Sequence, residues 1–286
     1  MKRFVIAGLV SIASFSALAA ERQISDLMYL PNQGTKFGET GLGILAGNAK
    51  TDEGRSFYMG YGVNQDLGYA LSDNLSLTLG LSMAHVDVKT RSGGNNTFTT
   101  QAGINEPTLA ARYRALESDL IMDVVGTLQA KIGDQEIDGS RTNGLDGKNA
   151  AAVELNLGQK KGNWQYVGVV GLEYNMEGTT KDKANDVKAT FKPHLDYKVG
   201  AAGQYQMNET TFVRAGVNVD LDSKVKAKKN ADDLVASNTF NYSLGLSYRA
   251  SKDLLLSGSY NLRDVKSKDV RNSALSIVGV SALYQF

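Results

Sequence analysis

The stretch LSLTLGLSM at residues 75–83 alternates without a break. Leu75, Leu77, Leu79, Leu81 and Met83 share one parity; Ser76, Thr78, Gly80 and Ser82 share the other. Successive side chains of a strand point to opposite faces, so this period writes one apolar face and one small, polar face. NYSLGLSYR repeats it, with Tyr242, Leu244, Leu246 and Tyr248 against Asn241, Ser243, Gly245, Ser247 and Arg249. No long segment carries the 3.6-residue period of an amphipathic helix. The pattern predicts twelve strands, at 37–48, 55–71, 75–87, 103–114, 119–132, 150–160, 163–176, 189–207, 211–222, 238–250, 253–264 and 274–286. Most reach the roughly 9 residues that cross a hydrocarbon layer at a tilt. Strands of soluble sheets average about 5–6.

The connections alternate in length. SDN at 72–74, ALES at 115–118, KKGN at 160–163, NE at 208–209 and ASKD at 250–253 are tight. The others, at 49–54, 88–102, 133–149, 177–188, 223–237 and 265–273, are longer and polar. Short turns on one side and long loops on the other are the rhythm of a membrane-spanning barrel, and an even strand count puts both termini on the short-turn side. The predicted fold is all-β: a transmembrane antiparallel up-and-down barrel of about twelve strands.

The two faces divide as such a barrel requires. Trp164, Tyr166, Gly168, Val170, Leu172, Tyr174 and Met176 form one outward row, with aromatics near both ends. Phe191, Pro193, Leu195, Tyr197, Val199, Ala201, Gly203, Tyr205 and Met207 form another. Pro193 lacks a ladder donor and calls for a bulge near a rim. The charges fall on the inward parity, since a charge facing lipid is costly. They are Glu39, Asp66, Glu106, Arg112, Asp123, Lys131, Glu154, Glu173, Lys192, Asp196, Lys198, Arg214, Asp220, Arg249 and Arg263. His194 joins them, and small residues fill most remaining lumen positions. Leu275, Ile277 and Leu283 also face inward, which predicts one dry wall near the seam.

Lys2 and Arg3, the apolar run FVIAGLVSIASF and the Ala17-Leu18-Ala19 site mark residues 1–19 as a secretory signal peptide. Residues 20–36 then form a periplasmic N-terminal segment, and residues 37–286 the outer-membrane barrel. The N-terminal segment, with a turn near Gln33-Gly34, is too short for a plug domain of its own; it is read as a tether, the alternative being a segment that lies against the periplasmic mouth and partly closes it. Removing Lys2 and Arg3 from 31 bases leaves 29 against 30 acids, a net charge near −1. That balance argues against nucleic-acid binding, which needs a strongly basic face. After residue 20 no run approaches the ~18 apolar residues of a transmembrane helix. Cysteine is absent, so thiolate and disulfide chemistry are excluded.

Two histidines limit catalysis and metal binding. His85 faces outward near a rim and reads as an interface residue; His194 faces inward and reads as part of a lumen network. Opposite faces and no cysteine give no metal centre. GDQEIDG at 133–139 and GLDG at 144–147 lack the spacing of a calcium loop. No cofactor is implied. The architecture resembles outer-membrane phospholipase A, whose family sets a histidine and a serine in an H-x-S arrangement. Here His85 is followed by Val86-Asp87 and His194 by Leu195-Asp196, so the reading is not an enzyme.

The chain ends SIVGVSALYQF. Outer-membrane barrels of Gram-negative bacteria end in a similar way, on an aromatic residue with apolar residues at alternate upstream positions. Phe286, Tyr284, Ala282, Val280 and Val278 fit that pattern. The resemblance implies insertion into outer-membrane lipid by the barrel insertion machinery. The architecture also resembles small-channel barrels for nucleosides or acidic sugars. It implies passive diffusion of small hydrophilic solutes past Arg112, Asp123, Lys131, Glu154, Glu173, Lys192, His194, Asp196, Lys198, Arg214, Asp220, Arg249 and Arg263. The alternatives are a closed structural or surface-binding barrel and, more distantly, a hydrolase.

Overall fold

The computed structural model describes residues 23–286 apart from 52–53, 146, 184–185, 230–234 and 269. The predicted signal peptide lies outside the described residues. The strands are β1 (Lys36–Thr51), β2 (Arg55–Ser72), β3 (Leu75–Ser92), β4 (Asn95–Ile104), β5 (Thr108–Glu117), β6 (Leu120–Gln129), β7 (Gln135–Asp138), β8 (Arg141–Asn143) and β9 (Ala150–Lys161). They continue with β10 (Trp164–Asn175), β11 (Gly178–Asp182), β12 (Val187–Phe191), β13 (His194–Gln206), β14 (Thr211–Asp222), β15 (Ala227–Lys229), β16 (Ser237–Ser251), β17 (Leu254–Ser267) and β18 (Val270–Gln285).

Twelve antiparallel staves close on themselves. β4 and β5 are the two halves of one stave: both pair with β3, and the break falls at 105–107, where Pro107 has no N–H to donate. The remaining staves are β1, β2, β3, β6, β9, β10, β13, β14, β16, β17 and β18. The seam is β18 against β1, in register from Gln285 opposite Phe37 to Asn272 opposite Lys50. Closure leaves no edge with unpaired backbone groups, which is what a lipid environment demands.

The short elements β7, β8, β11, β12 and β15 stand at the end of the barrel that carries the long connections. β8 runs parallel to β4, and β7 parallel to β11. The β7–β8 hairpin thus fills the wall where β6 and β9 stop short. The region 88–102, expected as a loop, is instead strand up to Ser92 and again from Asn95. Gly93 and Gly94 supply the two positive φ values, 55° and 86°, that a tight hairpin turn needs. Polar residues on both faces from Thr90 to Thr97 hid this hairpin from the period-two test, because a strand tip standing clear of the apolar band needs no apolar face. At Pro193 the stave is interrupted between Phe191 and His194, and the Lys192 N–H donates to the carbonyl of Lys226 at 2.9 Å.

A barrel has no single core. One apolar cluster is on the lumen wall: Leu45, Val86 and Ile277, with Tyr58 and Val88 against them. It includes one of the residues predicted to make the seam wall dry. Two further clusters contain residues from the N-terminal segment: Ile24 and Tyr29 with Leu255 and Leu283, and Met28 with Ile121 and Val167. Residues 24–30 are each at most 5% exposed. This corrects the expectation of a tether. A segment too short to build a core of its own needs none when the inward face of the barrel supplies it.

Candidate functional site

The tight-turn half of the lumen is occupied by residues 23–30, which fold back on themselves through Asp26 N–H to Gln23 C=O at 2.8 Å and Tyr29 N–H to Asp26 C=O at 3.2 Å. Their outward-pointing carbonyls are met by arginines on the wall. Arg112 donates to the carbonyls of Tyr29 at 3.0 Å and Met28 at 3.1 Å, and Arg114 donates to Met28 at 3.1 Å. Arg214 and Gln204 both donate to the Ser25 carbonyl, at 3.2 and 2.9 Å. Arg249 donates to the Gln23 side chain. Guanidinium suits this work, offering several fixed donors from one planar group.

Asp123 holds two of these arginines in place. Its carboxylate is fully buried and accepts from Arg112 Nε at 2.8 Å and Arg114 Nε at 2.7 Å. On the neighbouring staves β9 and β10 the charge is reversed, with the acid on the plug. Asp26 accepts from Lys160 Nζ at 2.9 Å and Gln165 Nε2 at 2.7 Å, while Gln165 Oε1 accepts the Leu27 N–H at 2.6 Å. Burial pushes the Asp26 carboxyl above the usual carboxylate range, against the pull of Lys160.

The other half of the lumen carries a different set. Glu154 on β9 and Lys198 on β13 form an ion pair at 2.8 Å across β10. Gly171 stands between them, and a Cβ there would lie 3.0 Å from the Glu154 side chain, so the missing side chain makes room for the bridge. His194 Nε2 lies 3.3 Å from Asp196, which also accepts from Asn175 at 2.7 Å and from the Ser223 N–H at 2.7 Å. Asp220 accepts from Asn241 at 2.8 Å and Asp222 from Ser237 at 2.5 Å, with Arg263 facing both acids. Glu173 sits directly opposite Asp196 in the β10–β13 register.

The predicted lumen residues therefore separate into groups. Arg112, Asp123, Arg214 and Arg249 are brought together around the plug. Glu154, Glu173, His194, Asp196, Lys198, Asp220 and Arg263 lie on the opposite half. Lys131 and Lys192 fall beyond the staves. Lys131 belongs to the β6–β9 connection, pairing with Asp134 at 2.5 Å, and Lys192 is exposed in the break at Pro193. Both were placed by extending a strand through residues that leave it. Arg114 and Lys160 are the wall cations on the plug that sequence reasoning missed. Arg114 has the parity of Arg112, so parity alone would have found it. Lys160 stands at the boundary between the strand expected at 150–160 and the turn at 160–163 and is absent from the inward set.

A scan against protein-family models finds no match, and a search of curated proteins finds none. Among solved structures the chain is similar to the COG4313 outer membrane channel from Pseudomonas putida F1, with a TM-score of 0.67 and 14% identity over 94% of this chain and 99% of that one. It is also similar to the translocator domain of the autotransporter NalP from Neisseria meningitidis, with a TM-score of 0.51 and 13% identity over 89% of this chain and 90% of that one. The fold is that of an outer-membrane β-barrel. At the seam Val280 faces Leu42, Ala282 faces Thr40 and Tyr284 faces Gly38, while the Phe286 N–H donates to Lys36 C=O at 2.9 Å. Tyr284 and Phe286 stack with ring centroids 5.8 Å apart.

Proposed function

We propose that the chain is an outer-membrane channel for passive diffusion of small hydrophilic solutes, with both termini in the periplasm and residues 23–30 setting its width. The observation that carries this reading is the division of the lumen. One half is lined by charged and amide side chains; the other is filled by a segment that is not part of the wall. That segment is held by side-chain hydrogen bonds and two small apolar contacts rather than by strand pairing. A solute entering from the long-connection end meets Glu154, Glu173, Asp196, Asp220 and Asp222 against Lys198 and Arg263. Charges at such close quarters filter by sign. Arg112, Arg114, Arg214 and Arg249 are engaged by the plug, which leaves the accessible lumen acidic on balance.

Planar-bilayer recording tests this. The full mature chain is expected to give small, cation-preferring steps. Deleting residues 21–30 is expected to raise conductance severalfold and shift the reversal potential toward anions, because the arginines are then uncovered. No steps above lipid background from either protein, with the barrel correctly folded, would reject a channel and favour a closed structural barrel.

A second reading has its own observation. Leu45, Val86, Ile277, Tyr58 and Val88 make a dry patch on the lumen wall, which suits a small apolar solute. Vesicles that take up a small aromatic hydrocarbon faster than a sugar of equal size would favour it.

A further inference from the structure

We propose that the outward face of β1–β4, at the long-connection end, is a binding site for the phosphate groups of the outer-leaflet glycolipid. The inference rests on the outer-membrane location and orientation proposed above. Lys50, Arg55 and Arg91 occupy one rung across three adjacent staves: Lys50 is directly opposite Arg55, and Arg55 directly opposite Arg91. All three are exposed. Like charges placed opposite each other on a sheet repel, so a row of three cations calls for an anion from outside.

Within the chain their partners are neutral. Arg55 donates to Asn48 Oδ1 at 3.3 Å and Arg91 to Asn96 Oδ1 at 3.3 Å. Among the described residues no carboxylate forms an ion pair with Lys50, Arg55, Lys89 or Arg91. The turn after β1 carries Asp52 and Glu53 in sequence. Even if both neutralised a cation, two of the four would remain.

The rung below fixes the depth. Asn48, Phe57, Lys89 and Phe98 follow one another across the same staves. The Arg55 guanidinium lies over the Phe57 ring at 4.9 Å and the Lys89 ammonium over Phe98 at 5.3 Å. Farther down the same outward face stand Met59, Tyr61 and Ile44, all exposed, while on β3 the same two rungs carry Asp87 and His85, 3.3 Å apart. On β1 and β2 the cations therefore sit just above an aromatic step that leads into an apolar band. That is the order in which a bilayer presents phosphate, interface and acyl chain. The aromatic faces hold the cationic heads near the interface, and the guanidinium forks match phosphate oxygens.

The test uses the full mature chain and the variant K50Q/R55Q/R91Q. Both are first floated with phosphatidylcholine vesicles, and folding is checked by the heat-induced shift in gel mobility. Vesicles are then doped with bisphosphorylated lipid A, its dephosphorylated form or phosphatidylglycerol, and retained lipid is counted by native mass spectrometry. The native chain is expected to retain phosphorylated lipid A at least about tenfold more than the variant, at a scale set by ~1 kcal/mol for each basic residue at an anionic membrane surface. Equal retention by the variant, equal retention of the dephosphorylated lipid, or preference for phosphatidylglycerol would each overturn the site. Failure of the native chain to float would reject the membrane reading and this inference with it.

Discussion

Asp123 shows how much one side chain can govern. It is fully buried, and Arg112 and Arg114 both depend on it while they hold the Met28 carbonyl. Removing one member of a buried charge network leaves the others without compensation, typically at a cost of ~3–5 kcal/mol. Asp123→Ala is expected to lower the urea midpoint of the folded barrel by that order and to loosen residues 23–30. Unfolding in detergent micelles, followed by the tryptophan signal, checks the first; proteolysis of the N-terminal segment checks the second. An unchanged midpoint would mean the arginines find other partners. Parity made Arg112 and Asp123 legible in the sequence as inward charges. It could not show that they serve a plug, because Ile24, Leu27, Met28, Tyr29 and Leu30 form an apolar cluster with no strand period. A seam residue makes a second residue-scale case. A Cβ on Gly38 would lie 2.8 Å from the Tyr284 ring, which covers that glycine across the seam. Gly38→Val is expected to displace Tyr284 and slow refolding into vesicles severalfold, read as the fraction of heat-modifiable protein over time. Unchanged refolding would show that the ring can move away without weakening the seam.

Among the elements, the β7–β8 hairpin is the least legible. Its strands have four and three residues, too few for a period to register, and GDQEIDG looked like a polar loop. The staves, by contrast, were found within a few residues wherever one face meets lipid and the other water. The chain just beyond the hairpin is held by Glu106, buried in the β4–β5 break, whose carboxylate accepts the Gly147 N–H at 2.8 Å. The chain just before the hairpin is held by Asp134, which pairs with Lys131 of the same connection at 2.5 Å and with Lys181 on β11 at 2.8 Å. Those two lysines, Lys131 first, bring the Asp134 carboxyl down to about 2. A depressed carboxylate contributes stability that is fully present above its unfolded value of 3.8 and lost as pH falls through about 2. The loss is small, under about 1 kcal/mol for a pair near the surface. Pepsin cleavage within 133–149 is therefore expected to rise relative to the rest of the chain between pH 4 and pH 2. In K131M/K181M, that relative rise should vanish. An equal rise in the variant would show that Asp134 does not anchor the hairpin.

At the scale of the whole molecule, the question is where the closed wall meets a bilayer. Alternation predicted which residues face outward but not their depth, because depth depends on tilt and on where each stave leaves the membrane. Trp164 can report it, being the one tryptophan in the chain. It begins β10 just after a tight turn and is exposed, with Tyr205 at 4.7 Å and Tyr166 at 5.9 Å between ring centroids. Three aromatic rings grouped at one stave end match a girdle at a membrane–water interface, where an indole keeps its body in lipid and its N–H near water. In vesicles made with lipids brominated near the glycerol end of the acyl chain, Trp164 fluorescence is expected to be quenched strongly. Lipids brominated near the terminal methyl should quench it much less. Stronger quenching by the deep label would move the tight-turn rim into the hydrocarbon and shift every outward row with it. Quenching by neither label would mean that this face does not touch lipid. The same vesicles diluted with the aqueous quencher acrylamide separate a buried indole from one standing free of the bilayer, since only the latter stays fully accessible after insertion.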